Sequence, residues 1–209
     1  MGTLHNNLKP SAQCAKAAKK ANQVLGQLSR AVTYRDKRTF VRLYVMYVRC
    51  HMDYIAVSWS PWTAQDKELL EQVQRRAVRM VSGLSGLTYT EKLEELGLTT
   101  LEERRTRGDM IEVYKILTGK YDVSPETWFT MAQDADGRQG RVTRDSRGFL
   151  NIVRNVANND PRRYFFSVRV WENWNNLDTY IKEAPTTNAF KNRYDGTGDR
   201  EETEQPPDY

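Results

Sequence analysis

Residues 11 to 32 read SAQCAKAAKKANQVLGQLSRAV and place their apolar side chains at steps of three and four residues. This spacing brings those side chains onto one face of an α-helix. The apolar positions are Ala17, Ala21, Val24, Leu25, Leu28 and Val32. The opposite face carries bases and glutamines, so we expect an amphipathic helix with a basic side, and Ser11 is its predicted N-cap.

A second helix is predicted from about residue 35 to residue 50, and its apolar residues cover most of its circumference, which is typical of a largely buried helix. Its arginines are separated by three, four and seven residues. In a regular α-helix that spacing aligns them in one stripe, formed by Arg35, Arg38, Arg42 and Arg49.

Capping signals and glycines delimit the remaining helices. Thr63 with Asp66 resembles a capping box, and either Thr99 with Glu102 or Thr100 with Glu103 opens a long helix. The predicted spans are 63–82, 90–96, 99–118, 125–131, a helix from 161 that carries Trp174, and 187–194. The sequence therefore predicts a mainly α protein, a helical bundle of about five to seven helices with a short irregular or β segment near 138–158.

The charges are distributed unevenly along the chain. Lys and Arg number 32 against 27 Asp and Glu, a net charge of +5. The first fifty residues contain many bases and a single acid, Asp36, whereas the acid-rich residues 195–209 contain one base, Arg200. We expect a disordered acidic tail at 195–209, and the basic first segment indicates a polyanionic partner.

Several classes of function find no support in the sequence. No signal peptide or membrane-spanning run is recognised, and two cysteines are too few to staple the chain, so an intracellular protein, cytoplasmic or nuclear, is expected. Cys14, Cys50, His5 and His51 lack the closely spaced pairs of a zinc site. Asp134 and Asp136 are expected in an acidic turn. No metal, cofactor or membrane partner is therefore predicted.

A colinear series of motifs resembles one family. It begins with YVRCHMDY at 47–54, WSPW at 59–62 and LEQVQRRA at 70–77. It continues with LEELGLTTLEERR at 93–105, YKILTG at 114–119 and RYFFSVRV at 163–170. Together they are similar to the C-terminal, post-catalytic region of jockey-like non-LTR (LINE-type) retrotransposon reverse transcriptases, over roughly residues 8–194.

The resemblance implies that the first helices are thumb-like and lie against a primer-template duplex. It suggests a thumb-like basic helical domain at 1–120, a helical or mixed appendage at 121–194 and the tail at 195–209. The family's polymerase holds two Mg²⁺ ions with carboxylates from an upstream motif and an Ala-Asp-Asp box, and this chain has no adjacent pair of Asp residues. The expectation is a fragment that is not an enzyme by itself, from a truncated gene model or a relic copy of a reverse transcriptase.

The candidate site is a set of bases that would contact phosphates of RNA, DNA or a hybrid duplex without reading base sequence. Its residues are Lys16, Lys19, Lys20, Arg30, Arg35, Arg38, Arg42 and Arg49. A solvated helix edge would give the same pattern. Further alternatives are a helical module that binds a protein partner or itself, and a relic without function.

Two groups of aromatic residues are expected in the core rather than on a stacking surface, because they alternate with aliphatic residues. They are Tyr44, Tyr47, Tyr54, Trp59 and Trp62 in the first half, and Tyr164, Phe165, Phe166, Trp171 and Trp174 in the second.

Overall fold

The computed structural model describes residues 10–53, 60–131, 151–153 and 160–201, with the side chains of 162–196 in the last range. The chain is mainly helical, as predicted. It divides into two compact units, Met1–Arg105 and Thr106–Tyr209, and each is described by itself. The predicted division at residue 120 stays a prediction, because these contacts do not test whether either part folds alone.

The first unit consists of helices joined by short links. Its elements are α1 (Ser11–Ala31), α2 (Lys37–Leu43), a π-helical turn (Tyr44–Arg49), α3 (Cys50–Asp53), α4 (Ala64–Arg79), α5 (Tyr89–Glu95) and the start of α6 (Leu101–Leu117). The helices predicted at 11–32, 35–50 and 63–82 are thereby confirmed in position, with ends that move by a few residues.

Helices α1 and α4 run parallel, side by side. Ser11 Oγ donates a hydrogen bond of 2.7 Å to the Asp66 carboxylate near the start of both helices. Further along, Arg76 donates to the Asn22 side-chain oxygen at 3.5 Å. Because the hydroxyl of Ser11 is used between helices, it does not cap α1: the N-cap is Pro10, without a side-chain hydrogen bond, and the prediction of Ser11 as cap was wrong.

The π-helical turn keeps one buried line in register. Phe40, Tyr44, Val48 and Met52 are each at most 1% exposed and are spaced by four residues. In an α-helix each step of four drifts by about 40°, since 3.6 residues make a turn. One wide turn with i→i+5 bonding takes up the extra residue and returns all four side chains to the core.

Side-chain caps fix where α4, α5 and α6 begin. Thr63 accepts from the Asp66 N–H at 3.1 Å, as predicted. At α5 the box is formed by Thr88 and Glu91, so this helix begins one residue before the predicted 90. At α6 the Thr100 N–H donates to Glu103 at 2.9 Å, which decides between the two alternatives for this start.

The second unit contains the rest of α6 and several short helices. They are a 3₁₀ turn (Pro125–Thr127), α7 (Asp160–Arg163), α8 (Phe166–Arg169), α9 (Trp171–Asn175), α10 (Thr179–Lys182) and α11 (Thr187–Glu201). Arg169 and Asp109 form a two-pronged ion pair with both distances 2.9 Å, and the Tyr114 hydroxyl donates to the Ala184 carbonyl at 2.6 Å. These contacts hold the short helices against α6.

Two helices predicted in this unit are shorter than expected or interrupted. Only 125–127 of the predicted 125–131 is helical. The helix expected from residue 161 is broken into α7, α8 and α9, with Phe165 in extended backbone. The Tyr164 carbonyl accepts from the Arg169 guanidinium at 3.2 Å, so a side chain takes the place of a helical backbone bond.

The segment predicted as irregular or β is described only at 151–153. There Ile152 forms an isolated antiparallel bridge with Met131, and the rest of 138–158 lies outside the described residues.

Helix α11 continues past the predicted end at 194 to Glu201. Just beyond residue 194, Asp195 pairs with Arg107 at 2.6 Å, and 202–209 lie outside the description. Within the described ranges, no helix is both long and apolar enough to cross a bilayer.

Candidate nucleic-acid interface

The outer face of α1 carries exposed bases. Its inner face is closed by Cys14, Ala21 and Leu25, each fully buried, and the predicted bases lie on the opposite side. These bases are Lys16, Lys19, Lys20 and Arg30. Each is exposed, and none forms an ion pair with a described acid. The predicted amphipathic helix with a basic side is therefore present, with its charge directed to solvent.

Helix α2 adds two exposed arginines one turn apart. Arg38 and Arg42 form no ion pair within the part of the chain that the structure describes. The neighbouring Lys37 does pair, with Glu95 of α5. The Asp36 carboxylate accepts a hydrogen bond from the Thr39 N–H at 2.9 Å. This hydrogen bond stabilises the ionised carboxylate and so lowers the pKa of Asp36. Asp36 is thus occupied as the N-cap of α2.

Arg35 has a structural position. Its guanidinium donates to the Ser29 carbonyl at 2.7 Å and to the Val32 carbonyl at 3.3 Å, and so caps the end of α1. Its own carbonyl accepts from the Ser82 N–H at 2.9 Å. Of the predicted stripe, Arg35 is therefore the residue that joins α1, α2 and the end of α4.

Arg49 does not continue the stripe, because the π-helical turn lies between it and Arg42. One extra residue in the turn rotates the subsequent residues by about 100°. The side chain of Arg49 is 11% exposed and lies 3.7 Å from Asp53, which also accepts from Arg104 at 2.7 Å. Burial, and then the charge of Arg104, lower the pKa of Arg49. The predicted alignment of Arg49 with Arg38 and Arg42 was wrong.

Two bases that the sequence analysis did not select extend the α1 face. Arg76 touches Asn22 of α1, and Arg79 follows one turn later on α4. Both are exposed and without an ion pair to any described acid. Local sequence accounts for them only as bases near the C-terminal end of a helix, where positive charge is favourable. Their position beside α1 depends on the parallel pairing of the helices, which periodicity does not reveal.

The aromatic residues of the first unit divide between core and surface. Tyr44 is 1% exposed, as predicted, whereas Tyr47 is 53% exposed, so its assignment to the core was wrong. The π-helical turn directs Tyr44 and the residue four later inward and leaves Tyr47 outside. Trp62 is half-buried, and Tyr54 and Trp59 lie outside the described residues.

In the second unit the same prediction holds for part of the group. Phe166 and Trp174 are buried at 3% and 0% exposure, and Tyr164 and Trp171 are half-buried. Phe165 is 52% exposed, which contradicts its assignment to the core. The extended backbone at this residue turns its side chain away from that of the next, and a pattern of apolar neighbours cannot show this.

A buried polar cluster lies beneath the basic helices. The Tyr44 hydroxyl donates to Gln74 at 2.8 Å, and the Gln74 amide donates to Glu71 at 3.2 Å. The Glu71 carboxylate also accepts from the Tyr89 hydroxyl and, at 3.0 Å, from the Leu101 N–H. Burial raises the pKa of both tyrosines. The cluster joins four elements, and its closed position suits a structural role that holds the basic helices in place.

Beside this cluster, Arg105 is 8% exposed, and its Nη2 has no hydrogen-bond partner within the part of the chain that the structure describes. Burial lowers the pKa of Arg105, which the nearby Glu71 carboxylate partly offsets. Cys14 is also buried here, and burial raises the pKa of its thiol to about 12. A thiol with so high a pKa is a poor nucleophile at neutral pH.

Among the described residues, no three His, Cys, Asp or Glu side chains lie close enough together to hold a metal ion. His5, Asp134 and Asp136 lie outside the description. No protein-family model matches the chain, and neither the curated proteins nor the solved structures gave a match.

Proposed function

We propose that this chain is a nucleic-acid-binding fragment of a non-LTR retrotransposon reverse transcriptase, which contacts phosphates through α1 and α2 and does not read base sequence. The observation that carries the proposal is the set of exposed bases without ion pairs to any described acid. It consists of Lys16, Lys19, Lys20, Arg30, Arg38 and Arg42. The motif resemblance described above supports the same assignment.

The physical argument is one of charge compensation. A base that already pairs with a carboxylate has less to gain from a phosphate, whereas an exposed, unpaired base displaces condensed counterions when it binds. Six such contacts would give a slope of about −5 for log K against log salt. Arg76 and Arg79, exposed beside α1, would add to the same surface.

In this proposal the chain binds nucleic acid inside the cell, in the cytoplasm or the nucleus, and performs no polymerisation by itself. The catalytic carboxylates of the resembled family have no counterpart among the motifs that carry the resemblance. The partner is RNA, DNA or a hybrid duplex, and recognition of phosphate alone does not separate them.

The test is fluorescence anisotropy of a labelled RNA–DNA hybrid at several salt concentrations, with R38E/R42E as the variant. We expect steep salt dependence for the parent and loss of most affinity in the variant, with a slope reduced by about two. The matched control is K92E/K120E, which makes the same change in net charge at residues that belong to neither α1 nor α2. Salt-independent binding, or equal losses in the two variants, would contradict the proposal.

A second candidate, self-association, is favoured by one observation. Met46 and Tyr47, adjacent on the outside of the π-helical turn, are 62% and 53% exposed. An exposed pair of large apolar residues suits contact with a second copy of the chain. Sedimentation equilibrium should then show a dimer that M46S/Y47S abolishes, and a parent that remains monomeric at all concentrations would remove this candidate.

A further inference from the structure

Tyr34 is unusually exposed for a large side chain. It lies in the link at 32–36 between α1 and α2, and its exposed fraction is 78%, higher than for the other large hydrophobic residues that the structure describes. Its ring has no aromatic, cationic or hydrogen-bonding partner among the described residues. The ring is therefore largely exposed to solvent.

The link that carries Tyr34 is anchored on both sides. The next residue, Arg35, binds back to the carbonyls of Ser29 and Val32 and receives the N–H of Ser82. After it, Asp36 caps α2. These contacts already hold the link in place. Its conformational entropy would therefore fall little when a ligand stacks on the ring.

Exposed bases precede and follow Tyr34 closely in the chain. Arg30 belongs to the last turn of α1 and Arg38 to the first turn of α2, four residues before and four residues after Tyr34. Both are exposed and form no ion pair in the described part of the chain. Four residues of chain limit each Cα to within about 14 Å of that of Tyr34, which is within reach for a long arginine side chain.

We propose that Tyr34 stacks on an unpaired base of a bound nucleic acid, while Arg30 and Arg38 contact the phosphates on either side. The inference rests on the proposed nucleic-acid binding and adds a preference for single-stranded segments. Bases inside a duplex are stacked on one another and offer no free π-face, whereas an unpaired base does. Phosphate contacts alone would bind a blunt duplex and an extended one alike.

The binding test compares two labelled hybrids, one blunt and one with a single-stranded extension, at the same salt concentration. Y34A should bind the extended hybrid about tenfold more weakly than the parent does and the blunt one within twofold. Y34F should keep the parent's affinity, because the ring is retained. Y180A removes a tyrosine of the second unit that is 64% exposed and should leave both affinities unchanged.

An unchanged affinity of Y34A for the extended hybrid, or equal losses on the two hybrids, would overturn the inference. A parent that binds both hybrids equally and with steep salt dependence would overturn it while leaving the proposed function intact. A parent that binds neither hybrid would remove both.

A second measurement locates the base directly. A 5-iodouracil in the extension, irradiated in the complex, should crosslink to the aromatic ring that stacks on it. Trypsin cleaves after Arg30 and Arg35, which releases residues 31–35 with Tyr34 as their one aromatic residue. The adduct is expected on this peptide, and crosslinking confined to other peptides would contradict the inference.

Discussion

Replacing Glu71 by alanine should lower the free energy of unfolding by about 3 to 5 kcal/mol. Its carboxylate is the common acceptor of the buried cluster, with the Leu101 N–H at 3.0 Å, the Gln74 amide at 3.2 Å and the Tyr89 hydroxyl as donors. The residue is 9% exposed, so water does not readily replace it.

The magnitude follows from the donors that lose their acceptor. A hydrogen bond to a charged group contributes about 1.5 to 3 kcal/mol, and the two nitrogen donors are in the interior. After the substitution the Gln74 amide still has a second acceptor, the Thr99 carbonyl at 3.0 Å. The loss of its bond to Glu71 therefore contributes less to the destabilisation. The loss of the carboxylate also leaves the buried Arg105 without the opposite charge that favours its ionised form.

The assay is urea denaturation followed by circular dichroism, with two companion variants. E68A removes a half-exposed carboxylate of the same helix, 3.3 Å from Arg75, and should cost less than about 1 kcal/mol. E71Q keeps the shape and one acceptor oxygen, and its loss should fall between the two alanine variants. If E71A costs no more than E68A, the carboxylate does not organise the cluster.

Two further predictions concern titratable groups. Cys50 is exposed and Cys14 buried with a pKa raised to about 12, so iodoacetamide should modify Cys50 in the folded protein and Cys14 only in denaturant; equal rates would contradict the burial. The pKa of Asp36 lies below its ordinary 3.8, so its cap stabilises α2 above that pH and is lost as the pH falls through the lowered pKa. The test is thermal unfolding as a function of pH. Below pH 3.8, D36N should become more stable relative to the parent, because asparagine caps the helix without titrating, and at neutral pH D36A should be less stable, because it lacks the cap. Parallel pH profiles of D36N and the parent would refute this.

Much of the helical architecture could be predicted because its signals are local. Apolar spacing identified α1 and its buried residues, such as Leu25, and the box of Thr100 and Glu103 was among the predicted starts of α6. The exposed face of α1 also followed from the same periodicity. Such signals depend on residues within one or two turns, and the sequence contains all of them.

The composition of the site could be predicted only in part, because the remainder depends on contacts distant in sequence. Arg35 looked like another exposed base, yet it binds carbonyls of α1 and receives the N–H of Ser82. Arg76 joins the basic face only because α4 runs parallel to α1. Neither arrangement can be recognised from the periodicity of the helix that carries the residue.

The position of Arg49 shows a different limit. Extrapolation at 3.6 residues per turn placed it with Arg42, and one wide turn was enough to move it toward Asp53. The spacing of the buried residues, always four, was a signal of that turn. It competed with the arginine spacing, and burial of large apolar side chains outweighs the alignment of exposed charges.

The π-helical turn also bears on how this chain tolerates changes in length. A helix usually resists the loss of one residue, because everything beyond the deletion rotates out of place. Here the turn already holds one residue more than an α-helix needs, and its outward positions include Met46 and Tyr47. Deleting either one would restore ordinary spacing while α2 and α3 keep their orientations, so a shorter relative of this chain could share the same core.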